Sequence, residues 1–497
     1  MEQQKHKSID CLNTALRDVH VSEQTQELRL SDGMPDIGRV ICAWGQAILR
    51  SKEWHSDHIA FSGGMMIWVL YAPEDGTEER CVSTWIPFQN QWDLPEGLPE
   101  GTIRIKALPR FSDARSVSSR KMLIRAGISV MAEAFVPENS QISAPDNPED
   151  GICILLSRYP VQLQKEAGEK TFLLDEELSL PDSAPKPQKL MYCCLEAASR
   201  EVRVLADKLA FRGTGNLHML YRSEDGQMHS WDFEIPFSQF AQLKEIYGSD
   251  AQGDIRYGVT SLEPELDETG KLRLKGGVVA QYLITDRQML ELVEDAYSPT
   301  RELKLHRENL QLPVLLDSHR TTLHPEQTIP AAAQRTAEVR FLPDFPRQRR
   351  NGEETVLECS GGFQVLYYAE DGMLRSGTSR WDGRDTVKAA EETRLSAVPM
   401  VSQARAGDGT EGITLKAELP MEITSSARQE IAMVTDLEAG TQQQPDPGRP
   451  SLILIRSGGQ RLWDIAKENG STMEAIRQAN DFAEEPAANQ MLLIPVV

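Results

Sequence analysis

Three copies of one short segment constrain the fold more than any other feature of this chain. Val69-Leu70-Tyr71-Ala72-Pro73-Glu74-Asp75-Gly76, Met219-Leu220-Tyr221-Arg222-Ser223-Glu224-Asp225-Gly226 and Val365-Leu366-Tyr367-Tyr368-Ala369-Glu370-Asp371-Gly372 share the order apolar pair, Tyr, Glu-Asp-Gly. Their glycines lie 226 − 76 = 150 and 372 − 226 = 146 residues apart. Asp-Gly between two alternating apolar-polar runs is a strong hairpin signal, because glycine takes the positive φ that tight turns require. A period this long describes tandem domains rather than solenoid turns.

The likeness extends outward at nearly the same offset. Glu27-Leu28-Arg29-Leu30 answers Glu177-Leu178-Ser179-Leu180, and Ile86-Pro87-Phe88 answers Ile235-Pro236-Phe237, where the third copy has Trp381-Asp382-Gly383. Val293-Glu294-Asp295 of the second copy answers Val434-Thr435-Asp436 of the third. We place the repeats at 8–158, 159–310 and, in degenerate form, 311–440. Most segments alternate with period two, Arg203 to Phe211 for example, so each repeat reads as an antiparallel, sandwich-like β-domain. Phe237 to Ile246 and Arg287 to Glu294 read as helical turns. The fold class is therefore mainly β, with three tandem β-domains ahead of a small βααβ tail.

That tail is residues 450–497. Ser451 to Arg456 reads as a strand stopped at Ser457-Gly458-Gly459. A helix starts near Arg461 with Leu462, Ile465 and Ala466 on one face, and Asn469-Gly470 ends it. Ser471-Thr472-Met473-Glu474 reads as a capping box opening a second helix, and Met491 to Pro495 as a closing strand pairing antiparallel with the first. The 441–449 linker and the adjoining Pro450 hold three prolines and no apolar anchor, which predicts a spacer that leaves the tail free to reorient. Trp463 and Phe482 fall off the apolar helix face. Each could stack on a sugar or anchor a protein, or pack against the linker or the third repeat.

Through Gly459, Leu462, Ile465-Ala466, Ile476, Asn480 and Gln490 to Pro495, the tail resembles the LysM domain, a small carbohydrate-binding module. The resemblance implies a groove walled by Gly459, Gln460, Arg461, Asp481 and Phe482. Gln460-Arg461 stand where the family usually has Asp-Thr, and Asn489 where it usually has Gly. Arg461 reads as a lone cation in the groove loop, able to bind a carboxylate of a muropeptide or of a protein partner.

Charge and composition narrow the remaining classes. A net charge of -22 argues against nucleic acid and anionic membranes as partners. The longest apolar run, Met65 to Ala72, is far too short for a helical span, and no secretory signal is visible at the N-terminus. Seven cysteines without a C-x-x-C pair fit reduced thiols in a cytoplasm. His55-Ser56-Asp57-His58, with Glu53, is the compact cluster of metal-type ligands, and we read it as an exposed polar loop. His218 stands where the other copies have Trp68 and Gln364, so it reads as a sheet-surface position. Tyr71, Tyr221 and Tyr367 read as buried rings. Arg347-Gln348-Arg349-Arg350 reads as a solvated turn. No nucleophile elbow, phosphate loop or zinc motif occurs, so no enzyme and no cofactor is expected.

The repeats followed by this tail, with the Tyr-x-x-Glu-Asp-Gly hairpin, the Ile-Pro-Phe step and Asp295-Ala296-Tyr297-Ser298 as marks, resemble the SPOCS-repeat, LysM-terminated spore-coat morphogenetic proteins. The resemblance implies a cytoplasmic mother-cell protein that helps the coat encase the forespore, with coat morphogenetic proteins as partners. The alternative is a cell-envelope adaptor binding peptidoglycan or another N-acetylglucosamine polymer; a wall hydrolase with a hidden carboxylate pair ranks third.

Overall fold

The computed structural model describes residues 6–143, 151–352, 354–389, 392–409, 412–442, 448, 450–481 and 485–496. The first unit has six antiparallel strands: β1 (His6–Arg29), β2 (Ile37–Trp54), β3 (His58–Pro73), β4 (Arg80–Asp93), β5 (Thr102–Ser118) and β6 (Lys121–Ser143). They form two sheets, β1-β6-β5 and β2-β3-β4. The second unit repeats the plan with β7 (Cys153–Leu178), β8 (Pro187–Leu205), β9 (Lys208–Ser223), β10 (Met228–Gln242), β11 (Gln252–Leu266) and β12 (Leu272–Tyr297). Its sheets run β11-β12-β7 and β8-β9-β10. Alternation along the strands turns one row of apolar side chains inward. Phe61, Met65 and Ile67 thus meet Ile103, Ile124 and Ile128 in the first unit, and Phe211 and Leu217 meet Leu274 and Val278 in the second.

The third unit follows the same plan with three strands each cut in two. It comprises β13 (Arg301–Leu323), β14 (Glu326–Ile329), β15 (Ala333–Pro343), β16 (Arg347–Asn351), β17 (Glu354–Ala369) and β18 (Leu374–Lys388), then β19 (Arg394–Pro399), β20 (Gln403–Gly409) and β21 (Gly412–Gln442). β13 and β14 pair along one edge of β21, β19 and β20 along the other, and β15 and β16 both pair with β17. Pro325 lies at the first cut, Pro343 and Pro346 at the second, and Pro399 at the third. Proline has no N–H to donate to the ladder, which accounts for a break at each place.

The three Asp-Gly turns join β3 to β4, β9 to β10 and β17 to β18. Gly76, Gly226 and Gly372 sit at φ 70°, 82° and 75°. In each turn the Asp carboxylate accepts the N–H two residues on, at 2.9 to 3.0 Å, from Thr77, Gln227 and Met373 respectively. The Leu-Tyr pair ahead of each turn splits between two cores, because adjacent strand residues face opposite ways. Tyr71, Tyr221 and Tyr367 point into their own units, and the Tyr71 hydroxyl donates to the Pro35 carbonyl at 3.1 Å.

Leu70, Leu220 and Leu366 point outward into one core shared by all three units. Ile41 and Trp44 of β2, Met191, Tyr192 and Cys194 of β8, and Ala337 of β15 join it. The preceding equivalent positions close a ring. Trp68 sets its ring edge-on against Tyr192 of the second unit at 5.2 Å. His218 Nε2 lies 3.1 Å from Glu338 Oε1 of the third, and Gln364 Nε2 donates to the Ala43 carbonyl of the first at 2.8 Å. Trp, His and Gln are all accepted there because each meets a different neighbour. His218 is therefore half-buried between units rather than on an open sheet surface. A second three-way core gathers Ile9 and Cys11, Val161 and Leu163, and Leu310 and Leu312 from the longer sheets.

Two further readings are corrected. The stretches expected as helical turns are mostly strand: Phe237 to Gln242 ends β10 and Arg287 to Glu294 lies within β12. Their inward side chains, such as Leu290 and Leu292, are two apart, as a strand requires. Arg347 to Arg350 is no turn but the exposed edge strand β16, whose charges discourage further pairing.

Candidate functional site

The C-terminal module is built from β22 (Leu452–Arg456), α1 (Leu462–Glu468), α2 (Met473–Asn480) and β23 (Met491–Pro495). β22 and β23 pair antiparallel, Leu454 opposite Leu493. Leu462, Ile465, Ile476, Leu492 and Ile494 fill the core between sheet and helices. Asn480 locks α2 to β23, donating to the Leu493 carbonyl at 2.6 Å and accepting its N–H at 2.8 Å. The cap of α2 differs from the expected box: Thr472 is the N-cap, its Oγ1 accepting from Ala475 N at 3.1 Å. Ser471 is fully buried one residue earlier.

The two loops that the LysM resemblance names as groove walls are stitched together. Ser457 Oγ donates to the Ala487 carbonyl at 2.5 Å and accepts the Gln490 N–H at 3.1 Å. The start of α1 lacks a side-chain cap of its own, and the Glu485 carboxylate takes the Leu462 N–H at 2.6 Å. Asn489 sits at φ 66°, left-handed backbone that Asn tolerates better than most residues, and this accounts for its standing where that family has Gly. Gly459 at φ 85°, Gln460 and Asp481 are exposed along this rim. Phe482 lies outside the described residues.

Arg461 and Trp463 depart from expectation. Arg461 is no lone cation: its guanidinium meets Glu294 at 2.8 Å and Asp464 at 3.1 Å. Trp463 is buried, edge-on to Tyr297 at 4.7 Å, with Nε1 donating to Asp295 Oδ2 at 3.0 Å. Lys467 Nζ reaches the same carboxylate oxygen at 2.6 Å, and Arg307 of β13 holds the other oxygen at 2.8 Å. Burial alone would raise the Asp295 pKa, but the bonds from Lys467 and Trp463 outweigh it and keep the carboxyl below its ordinary value. The Tyr297 hydroxyl donates to the Ser471 carbonyl at 2.9 Å, and Cys153 and Leu155 pack beneath the module core.

The module is thus seated on the end of β12 rather than free to swing on its tether; the linker residues 443–447 and 449 lie outside the described residues. The sequence reading did not assign Glu294, Asp295 and Tyr297 to this contact. The signal available was complementarity: two adjacent acids and a Tyr in the second unit, and two cations and a Trp on α1.

Elsewhere, His58 Nδ1 lies 2.7 Å from Asp57 in the β2–β3 turn, and the His55 and His58 rings stack at 4.4 Å. Among the described residues, no group of three or more His, Cys, Asp or Glu converges to hold a metal. The seven cysteines are free thiols. No helix among the described residues is long and apolar enough to cross a membrane.

The fold class is therefore a mainly β chain of repeated antiparallel units with a small helix-containing C-terminal module. Comparison with protein families adds one match: residues 188–263, spanning β8 to most of β11, match the family model described as SipL, SPOCS domain. That match supports the SPOCS resemblance for the second unit and suggests a sporulation-associated role. Neither the comparison with curated proteins nor that with solved structures returned a significant match.

Proposed function

We propose that this chain is a non-enzymatic spore-coat assembly protein that docks through its LysM-like module to a coat protein at the forespore surface. The SPOCS match in the second unit supports the sporulation setting. The observation that carries the docking role is the outer face of the module sheet. Leu452, Leu454, Met491 and Leu493 are 52, 59, 48 and 38% exposed side by side on two paired strands. A contiguous apolar patch on an otherwise polar module is a feature of protein contact surfaces. A sugar groove, by contrast, has Gly459, Gln460 and Asp481 on its rim, while Trp463, the aromatic that could have stacked on a pyranose, is buried against Tyr297.

The test uses the full chain as bait in extracts of sporulating cells, beside a Leu454→Asp, Leu493→Asp variant and a chain lacking residues 450–497. Loss of the same captured coat protein and of forespore localisation in both variants is the expected result. Unchanged capture and localisation without residues 450–497 would remove the module from the mechanism. Calorimetry of the full chain with chitin oligomers tests the glycan alternative; saturable heat at about millimolar ligand or below would favour it over the protein partner.

A further inference from the structure

A cavity of about 170 Å³ lies where the three units meet, lined by β1 and β5 of the first, β7, β8, β11 and β12 of the second, and β13, β19 and β21 of the third. The two shared apolar cores flank it. Along β8 the chain passes from Cys194 in one core to Ser199 on the cavity wall, and along β7 from Leu163 in the other to Gln164 on the wall. We infer that this cavity is a binding site for a small oxyanion, a ligand presenting phosphate or carboxylate oxygens to cations from all three units. The inference goes beyond the docking role and does not depend on the module.

Cations of all three units converge on this space. Arg17, Arg104, Lys106, Arg256 and Arg320 line the cavity. Against them stand Asp254 and Glu422 on its wall, Glu133 behind it and Glu196 near Lys106. Glu133 is saturated: Oε1 accepts from Arg17 Nε at 2.8 Å, and Oε2 from Arg104 Nε at 2.8 Å and Arg256 Nη1 at 2.5 Å. Burial alone would raise its pKa, but the three guanidiniums hold its carboxyl well below the usual carboxylate range. Asp254 takes Arg104 Nη1 at 2.5 Å. Glu422 neighbours Asp254, and burial together with that carboxylate pushes its pKa up to about 7.

The cations drawn into the wall, Arg17, Arg104, Lys106 and Arg256, are matched by four carboxylates, while Arg320, its side chain 62% exposed, stands at the cavity rim. Glu422, pushed toward its protonated form beside Asp254, weakens that match on the carboxylate side. A buried guanidinium N–H without an acceptor is costly, so Arg256 Nε on this wall calls for an anion.

Donors remain for it. Arg256 is 6% exposed and its Nε finds no acceptor, and Arg320 comes no closer than 3.9 Å to Glu422. Lys106 Nζ reaches the Tyr257 carbonyl at a long 3.5 Å. Burial, resisted by Glu196 and helped by Arg256, pulls the Lys106 pKa down, and a bound anion would relieve this. Guanidinium forks suit the paired oxygens of phosphate and carboxylate. Ser318 and Thr424 add hydroxyls to the wall. About 170 Å³ is room for a phosphate- or dicarboxylate-sized group.

The test is thermal unfolding and calorimetry of the full chain with inorganic phosphate and, separately, malonate, against sodium chloride at matched ionic strength. Saturable binding of phosphate or malonate, with a rise in Tm that chloride does not reproduce, is expected; the stronger of the two identifies the chemistry. Arg320→Gln and Lys106→Gln should each weaken that binding at least tenfold, whereas Arg158→Gln, a solvent-exposed control on β7, should leave it unchanged. Equal stabilisation by chloride, or wild-type affinity in both cavity variants, would overturn the assignment.

Discussion

The seam among the three units and the seam between the second unit and the C-terminal module use opposite chemistry. The first is apolar at both of its cores, with Leu70, Leu220 and Leu366 at most 2% exposed, and it encloses the Arg104–Glu133–Arg256 cluster. Backbone groups there are satisfied by the neighbouring unit: Met228 N donates to Tyr368 Oη at 2.8 Å, and Ser376 Oγ to the Ile41 carbonyl at 2.6 Å. The second has a smaller apolar part, the Tyr297–Trp463 pair with Cys153 and Leu155, and a set of ion pairs, of which Arg461 is 54% exposed. Burial drives the first and resists separation; exposed ion pairs contribute little each and are screened by salt. The repeats should thus unfold as one body, while the module can leave it.

The severest attempt to break that contrast is Glu133→Gln. It keeps the volume but leaves Arg17, Arg104 and Arg256 facing one another, and it should cost about 3–5 kcal/mol in urea unfolding, since removing one partner of a buried pair strands the other. Leu220→Ala opens a cavity shared by three units and should cost about 2–5 kcal/mol, lowering one common transition. Separate transitions for the repeats would sink the single-body reading.

A pH series sharpens the same point. His218 is bonded by Asp232 at 2.7 Å and Glu338 at 3.1 Å. Burial would lower its pKa, but these carboxylates raise it from 6.5 to about 10. The stability it adds is fully present below pH 6.5 and is lost as pH rises through about 10, because the folded state binds the proton more tightly than the unfolded state. The urea midpoint should fall more steeply over that window in the wild type than in His218→Gln.

The smallest expected effect belongs to the module seam. Asp295→Asn should leave the unfolding of the repeats within about 1 kcal/mol of wild type while speeding hydrogen exchange in α1, the more so at high salt. Protection in α1 that is unchanged at every salt concentration would show the module fixed by its apolar contacts alone.

Much of the repeated architecture was legible in the sequence because its signals are local. Alternation turned each repeated Tyr inward, and Asp-Gly marked each turn. What covers the opposite face was not legible, since period two says which side a residue occupies but not what lies across from it. One clue was present: Met65 to Leu70 is apolar at every position, as a strand buried on both faces must be. In the module, helix periodicity identified Leu462, Ile465 and Ile476 as core. Trp463 fell off that stripe and reads as exposed until a second body is laid over it. Arg461 looked unpaired for the same reason, its partner Glu294 being 167 residues away. The cap of α2 was missed by one residue because Ser471 and Thr472 carry the same chemistry side by side.

The cycle of contacts from Trp68 to Tyr192, His218 to Glu338 and Gln364 to Ala43 has a consequence for stoichiometry. Head-to-tail contacts between separate subunits either propagate as filaments or close into rings, and here three sequential repeats consume that valence within one polypeptide. The repeat surface that could have polymerised is spent internally, so any larger lattice must grow from the periphery. The three copies differ in what their outer strands carry, and the second is the seat of the module. The body is threefold in construction but carries a single directional mark, the module seated on its second unit.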